Sequence, residues 1–409
     1  LKGYVREELE NGPTAHRKAP VKPQAQAEAE DGPRWKRLDG VDLLRGLAIF
    51  FVLMNHVNMR LLGAKVHYLK DWRPQVASSL VWNGQQGVQI FFAVSGFLIA
   101  STAMRRWGGL ERVQLKAFYQ LRVARIAPLL LLLLVVLVGL DRAGVPHYVV
   151  SETTGGLGRA LVAALGFHVN WLEATRGYLP ANWDILWSLS VEEMFYLGFP
   201  LVCWATRRRW VLVVVLCAFV AMGPWARATA FNGVWREYSY LGGMDAIAMG
   251  VLTAMWVSSG KLTRWRAWVV GAAGVGVMGF CLGMSGGAYG WGGGKNGLLM
   301  TVLGVGTCLA MAGVASREWR APGLLWPALV LGRRSYEIYL THVFVVWGIF
   351  DWFVRQGKPM EMVWWMFAAV IVAAGVAGEL VAREFTEPVN QRLRKWFGDE
   401  GLGKAVSSE

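Results

Sequence analysis

Apolar runs of about 20 residues recur ten times along this chain, and they leave one class of fold open. They cover about 43–62, 78–102, 123–140, 185–205, 210–228, 238–258, 266–285, 296–316, 333–353 and 361–382. A helix rising about 1.5 Å per residue needs about 20 apolar residues to cross the roughly 30 Å hydrocarbon layer. Inside that layer every backbone polar group must be satisfied internally, so apolar runs of this length read as helices. The predicted fold is all-α, a polytopic integral membrane bundle of about ten transmembrane helices. With 55% hydrophobic and 17% charged residues, the chain could not cover a soluble surface of this size. Many of its 22 Trp residues stand near the ends of the runs, as an interfacial aromatic belt requires.

Basic residues set the direction of threading. An eleventh stretch, 157–171, is short and interrupted by Gly158, Arg159, Gly166 and His168. If it does not span, one side of the membrane collects 29 Lys and Arg and the other 12, with Arg45 inside the first run completing the 42. If it did span, Arg207-Arg208-Arg209 and every later basic loop would change sides and the asymmetry would vanish. The positive-inside rule therefore favours ten spans, both termini cytoplasmic, and 157–171 as a re-entrant or interfacial segment.

The formal charge of +14 is not a nucleic-acid signal, because the basic residues are spread over the loops between spans, where they set topology and meet anionic lipid. Cys203, Cys217, Cys281 and Cys308 all fall within apolar runs and read as core residues; no Cys/His cluster has metal-ligand spacing, and no metal is expected. Residues 1–37 are polar and of mixed charge, without a cleavable signal, and read as a disordered cytoplasmic tail. The domain is expected over 38–396, with a short cytoplasmic tail over 397–409. Gly283–Gly294 reads as a flexible outer loop, and the basic stretch Glu384–Phe397 as lying along the cytoplasmic interface.

Ionisable residues inside the spans are costly and mark candidate functional positions. Arg45 and His56 lie in the first run, eleven residues apart, so they leave one helix on nearly the same face, roughly 16 Å apart along its axis. Threading outward, Arg45 sits near the cytoplasmic surface and His56 roughly 9 Å below the outer one. In the fourth run, Glu192 and Glu193 lie roughly 11 Å below the outer surface, at the depth of His56. A His and a carboxylate at one depth make a general-base pair or a structural hydrogen bond between spans. His342, near mid-membrane, reads equally as a substrate contact or a packed interhelical His. Asp245 reads as half of an ion pair or as a substrate contact, and Asp42 is a further candidate for substrate binding. Arg122 and Arg125 share a helix face in an R-x-x-R at the mouth of the third run. That spacing alone fits lipid headgroups and topology as well as a polyanionic ligand.

Five segments in order resemble the acyltransferase 3 family of integral membrane O-acyltransferases. They are Asp42-Leu-Leu-Arg45-Gly-Leu-Ala with the Arg-x10-His pattern ending at His56, Gly84–Ile99 with its Ser95-Gly96, Arg122-x-x-Arg125-Ile-Ala-Pro128, Leu186–Tyr196 and Leu331–His342. The resemblance covers about 38–396. It implies a donor acyl-CoA, usually acetyl-CoA, taken from the cytoplasm, and an acceptor hydroxyl on a carbohydrate or lipid-linked glycan. It carries the family's first-span Arg and His onto Arg45 and His56, and its R-x-x-R onto Arg122 and Arg125 as coenzyme A phosphate ligands. It also implies a multi-pass protein of a bacterial inner membrane. Many members read Asp-Gly-Leu-Arg-Gly where this chain has Asp42-Leu-Leu-Arg45-Gly46, a feature shared with families that acylate glucans, so the acyl group stays open. No C-terminal hydrolase-like domain is expected after the last span.

The mechanism expected from the sequence has coenzyme A on Arg45, Arg122 and Arg125, and its thioester reaching His56. With Glu192 or Glu193 assisting, His56 deprotonates the acceptor hydroxyl. A covalent acyl intermediate is the alternative route. The alternative function is a transporter or exporter of a glycan or small molecule along the same polar stripe. The oligomeric state is not legible.

Overall fold

The structure, a computed structural model, describes residues 38–70, 72–283, 297–316 and 319–398. The tail 1–37, nearly all of the glycine-rich loop after Gly283 and the residues from 399 onward lie outside the described residues. Ten helical segments are long and apolar enough to cross a membrane. In chain order the helices are α1 (Asp39–Gly63), α2 (Pro74–Val81), α3 (Gly84–Trp107), α4 (Leu115–Arg142), α5 (Gly156–Leu165), α6 (Val169–Arg176), α7 (Leu186–Thr206), α8 (Arg209–Ala228), α9 (Gly233–Tyr238), α10 (Tyr240–Ser258), α11 (Arg264–Gly283), α12 (Leu298–Ala315), α13 (Trp326–Arg333), α14 (Ser335–Arg355), α15 (Val363–Val381) and α16 (Glu387–Trp396). No strand occurs among the described residues. The ten expected spans are present, with boundaries moved by several residues. The stretch 157–171 becomes α5 and the start of α6, helices of ten and eight residues that are too short to cross.

Two close helix contacts hold the half of the bundle that carries the polar stripe. A Cβ at Gly250 of α10 would collide with the Ala93 carbonyl of α3, and one at Gly332 of α13 with the Asp42 carbonyl of α1. Without hydrophobic expulsion from water, helices in lipid associate by such backbone approach. Helix α1 packs against α3, α13 and α14. Its register against α3 is antiparallel: Gly84 faces Asn55, and Gly87 faces the Ala48 carbonyl. Away from these contacts, large apolar side chains such as Val135, Val214, Val275 and Val372 remain exposed, which is the outline of a lipid-facing surface.

The C-terminal stretch continues directly from the last span. Helix α15 runs through a π-helical turn, Ala382–Thr386, into α16, so Met360–Trp396 is one continuous helical segment of 37 residues. Pro388 explains the wide turn, since its ring lacks an N–H and crowds the preceding carbonyls. Arg334, at the start of α14, holds this segment through Glu379 (2.6 Å) and Glu387. Helix α16 in turn packs on α4, the helix that carries Arg122 and Arg125. Of the four cysteines, Cys203, Cys281 and Cys308 are buried, while Cys217 is exposed on α8.

Candidate functional site

Helix α1 is unbroken from Asp39 to Gly63, so Arg45 and His56 do lie on one rod, about three turns apart. Asp39 and Asp42 occupy its first turn, where carboxylates complement the helix dipole.

At the Arg45 end the side chains interlock. Arg45 Nε donates to Ser335 Oγ at 3.1 Å, and its guanidinium stands 3.7 Å from Asp42. Asp42 also meets Arg333 at 3.3 Å, so this candidate substrate ligand is engaged within the protein. Arg122 reaches Glu193 at 3.5 Å and Glu192 at 3.9 Å, and its guanidinium lies 3.5 Å above the Tyr196 ring. Its Nε is buried without a hydrogen-bond partner. Glu192 accepts from Ser95 Oγ and from Tyr196 OH (2.8 Å). Glu337 stands within Coulombic range of Arg45 and Arg125. Arg125 differs from its neighbours: it is half-buried, with no hydrogen bond or ion pair among the described residues.

The carboxylates therefore do not accompany His56. The α1–α3 register explains the correction. From Gly87, Ser95 is eight residues, roughly 12 Å, further along α3, which brings it level with Asp42–Arg45. Glu192, bonded to Ser95, shares that level. Hydropathy placed the outer surface near residue 185. Instead, Ile185 accepts from Tyr339 OH at 3.1 Å and Ser188 meets the same hydroxyl at 2.6 Å, so α7 begins already inside the bundle.

At the other end, the partner of His56 is His342. The two rings are 4.8 Å apart and inclined at 69°. His342 is fully buried; its Nδ1 meets the Tyr339 carbonyl at 2.7 Å, and its Nε2 has no partner. A carbonyl can only accept, so Nδ1 carries the proton and Nε2 presents a lone pair. His56 is half-buried, with no hydrogen-bond partner among the described residues. One turn beyond it, Arg60 lies 4.4 Å over the Trp347 ring, whose plane also stacks at 3.6 Å on His147.

Asp245 lies apart from both ends, in an internal network. It has no exposed surface and meets Arg227 at 2.7 Å, Thr301 at 3.0 Å, Gln89 at 3.1 Å and the Ala246 N–H at 2.7 Å. Arg227 is engaged further by the carbonyls of Gly297 (3.0 Å) and Gly242. The ion-pair reading of Asp245 holds, and its carboxylate is occupied by these four donors. Sequence reasoning had passed over Ser335, Glu337 and Asp184. The first two stood in a quoted motif without a partner to give them meaning.

A family model described as an acyltransferase domain matches residues 38–382, which includes every residue of both ends. The chain belongs to the acyltransferase 3 family. O-acetyltransferase OatA of Staphylococcus aureus, in strains NCTC 8325 and COL, is 23% identical to this protein over 393 residues, covering 89% of this chain. The chain spans 59% of the length of those relatives. No solved structure matches it. Ten membrane-length helices and this family membership make it a multi-pass membrane protein.

Proposed function

We propose that this acyltransferase moves an acyl group, acetyl in the first instance, from cytoplasmic acyl-CoA to a hydroxyl of a carbohydrate or lipid-linked glycan, in a bacterial inner membrane. The observation that carries this reading is the pair of ends on α1. One end is rich in arginine; the other holds a half-exposed histidine with no internal hydrogen bond, facing a second histidine of fixed tautomer.

Three arginines fit the phosphates of coenzyme A unequally. Arg125 has its whole guanidinium to offer, and Arg122 its unpartnered Nε. Arg45, tied to Ser335 and Asp42, shapes the mouth. Guanidinium groups suit phosphate because they present several N–H donors in a plane. An extended pantetheine arm is comparable in length to the roughly 16 Å from Arg45 to His56.

His56 then removes the proton of the acceptor hydroxyl, and the oxygen attacks the thioester carbonyl. The carbon–sulfur bond breaks, and the thiolate takes the proton back from His56, so the charge balances. His342 Nε2 offers the charged form of His56 an acceptor, the part first expected of Glu192 or Glu193. General-base catalysis contributes about 10²–10⁴-fold. Replacing His56 by Ala should lower transfer of label from [14C]acetyl-CoA into envelope glycan by at least about 10²-fold, with coenzyme A binding retained. A His56→Ala protein transferring at the wild-type rate refutes the reading.

A further inference from the structure

Glu192 and Glu193 belong to the arginine end, yet one carboxylate does share the depth of His56. Two hydrogen bonds bracket Asp184. Asn182 Nδ2 donates to the Leu340 carbonyl at 2.9 Å, and Tyr339 OH donates to the Ile185 carbonyl at 3.1 Å. Both α14 partners lie within a turn of His342, whose ring faces His56. Asp184 is also within Coulombic range of Arg60, one turn beyond His56. The turn that presents it, Ala181–Trp183, starts from Ala181 at φ +46°, a left-handed conformation rarely adopted by a residue with a Cβ and a form of strain found at functional sites.

The surroundings of Asp184 are polar and incompletely paired. Tyr238 OH reaches its Oδ1 at 3.4 Å, and the carboxyl of Glu173 on α6 stands beside it. Glu173 is buried; its Oε1 accepts from the Leu179 N–H at 3.0 Å, and its carboxyl shares a side-chain hydrogen bond with Asp184. Burial, and then the charge of Asp184, push the Glu173 carboxyl well above its usual range. On the segments that carry the pair, Asn170 Oδ1, Asn182 Oδ1 and Trp183 Nε1 are unpartnered, as is His342 Nε2 on α14, on side chains with no exposed surface. The two amides are anchored through their nitrogens, on the carbonyls of Tyr238 and Leu340, which leaves their oxygens free. Buried polar atoms are nearly always paired. Free donors and acceptors on the segments that carry this carboxyl pair suit hydroxyl groups, each of which both donates and accepts.

We propose that Asp184, backed by Glu173, grips a second hydroxyl of the acyl acceptor and so turns the reacting hydroxyl toward His56. The inference rests on the acyl-transfer reading above and adds a requirement: the acceptor is a diol, and the hydroxyl beside the acylated one determines specificity. Asp184 takes no proton in the transfer. It binds the acceptor and acts through KM.

The test uses the full chain in detergent with acetyl-CoA, and as probes methyl glucoside and its monodeoxy derivatives. A site built to bind a hydroxyl rejects an analogue lacking it. Wild-type protein should lose about tenfold or more in kcat/KM on the derivative that lacks the neighbouring hydroxyl. Asp184→Asn should lose a similar factor on the parent glucoside, through KM, and become indifferent to that deoxygenation. Glu173→Gln, which keeps a neutral hydrogen-bonding group at that position, should show the same change more weakly and serves if Asp184→Asn does not fold. Variants that keep the full wild-type discrimination overturn the proposal, as does an equal loss on all probes at unchanged KM. If His56→Ala abolishes transfer while the Asp184 and Glu173 variants behave as wild type, the acyl-transfer reading survives and this inference falls. Wild-type protein that acetylates none of the glucosides overturns both.

Discussion

Neighbouring arginines of one motif have different energetic roles. Arg122 sits among Glu192, Glu193 and the Tyr196 ring, so its removal strands carboxylates in a nearly dry setting. Arg125 has no such ties. Arg125→Ala should weaken coenzyme A binding without moving the melting temperature. Arg122→Ala should weaken binding and also cost about 1–3 kcal/mol, because a buried charge left without its partner is penalised. Thermal unfolding in detergent beside calorimetric titration with coenzyme A separates the two, and equal melting temperatures for both variants would contradict the assignment. Glu173 gives a prediction in pH. Its carboxyl titrates higher in the folded protein than in the unfolded chain, so above the ordinary Glu range of about 4.3 the fold binds the extra proton and stability falls as pH rises. Glu173→Gln removes that penalty. It should melt above wild type at pH 8, with the difference vanishing near pH 4; a variant melting lower at pH 8 would refute this reading.

Helices, as elements, were legible from the sequence, and their depths were not. Apolar length and the flanking charges located ten spans, because those properties are summed along the chain. The start of α7 was misjudged because α6 packs against that helix and the turn at Ala181–Trp183 precedes it, so Ile185 is buried in other protein rather than at the surface. A shift of roughly two to three turns exchanged the partners of His56: Glu192 and Glu193 moved to Arg122, and His342 took their place. The same scale explains Asp245. Its pair with Arg227 joins α8, α10 and, through Thr301, α12. Breaking it from one side, with Asp245→Asn or Arg227→Met, should destabilise the protein by about 3–5 kcal/mol, and the double variant should recover much of that loss. Chemical denaturation of the three variants measures this coupling, and additive losses would show that the pair is not a unit.

For the whole molecule, the testable property is its orientation. The Lys and Arg asymmetry predicts that the loop after α3 is cytoplasmic and the loop after α14 is outside. In a variant without native cysteines, Gln356→Cys should react with a membrane-impermeant maleimide on intact cells. Arg112→Cys should react only after permeabilisation. Labelling in the reverse order would invert the direction proposed for the donor and acceptor ends. The family match over 38–382 embraces both ends of the stripe, Arg45 and His56 alike.

The sequence by itself determined the class of fold, the number of spans, the family and the pairing of Arg45 with His56 on one helix. Each of these depends on local composition or on order along the chain. Only the tertiary structure decided which polar side chains meet. His56 with His342, Arg122 with Glu192 and Glu193, Asp245 with Arg227, and Asp184 with Tyr238 all depend on the relative register of helices distant in sequence. Small-residue contacts such as Gly250 against the Ala93 carbonyl set that register to within a turn, and apolar runs tolerant of sliding in lipid do not encode it.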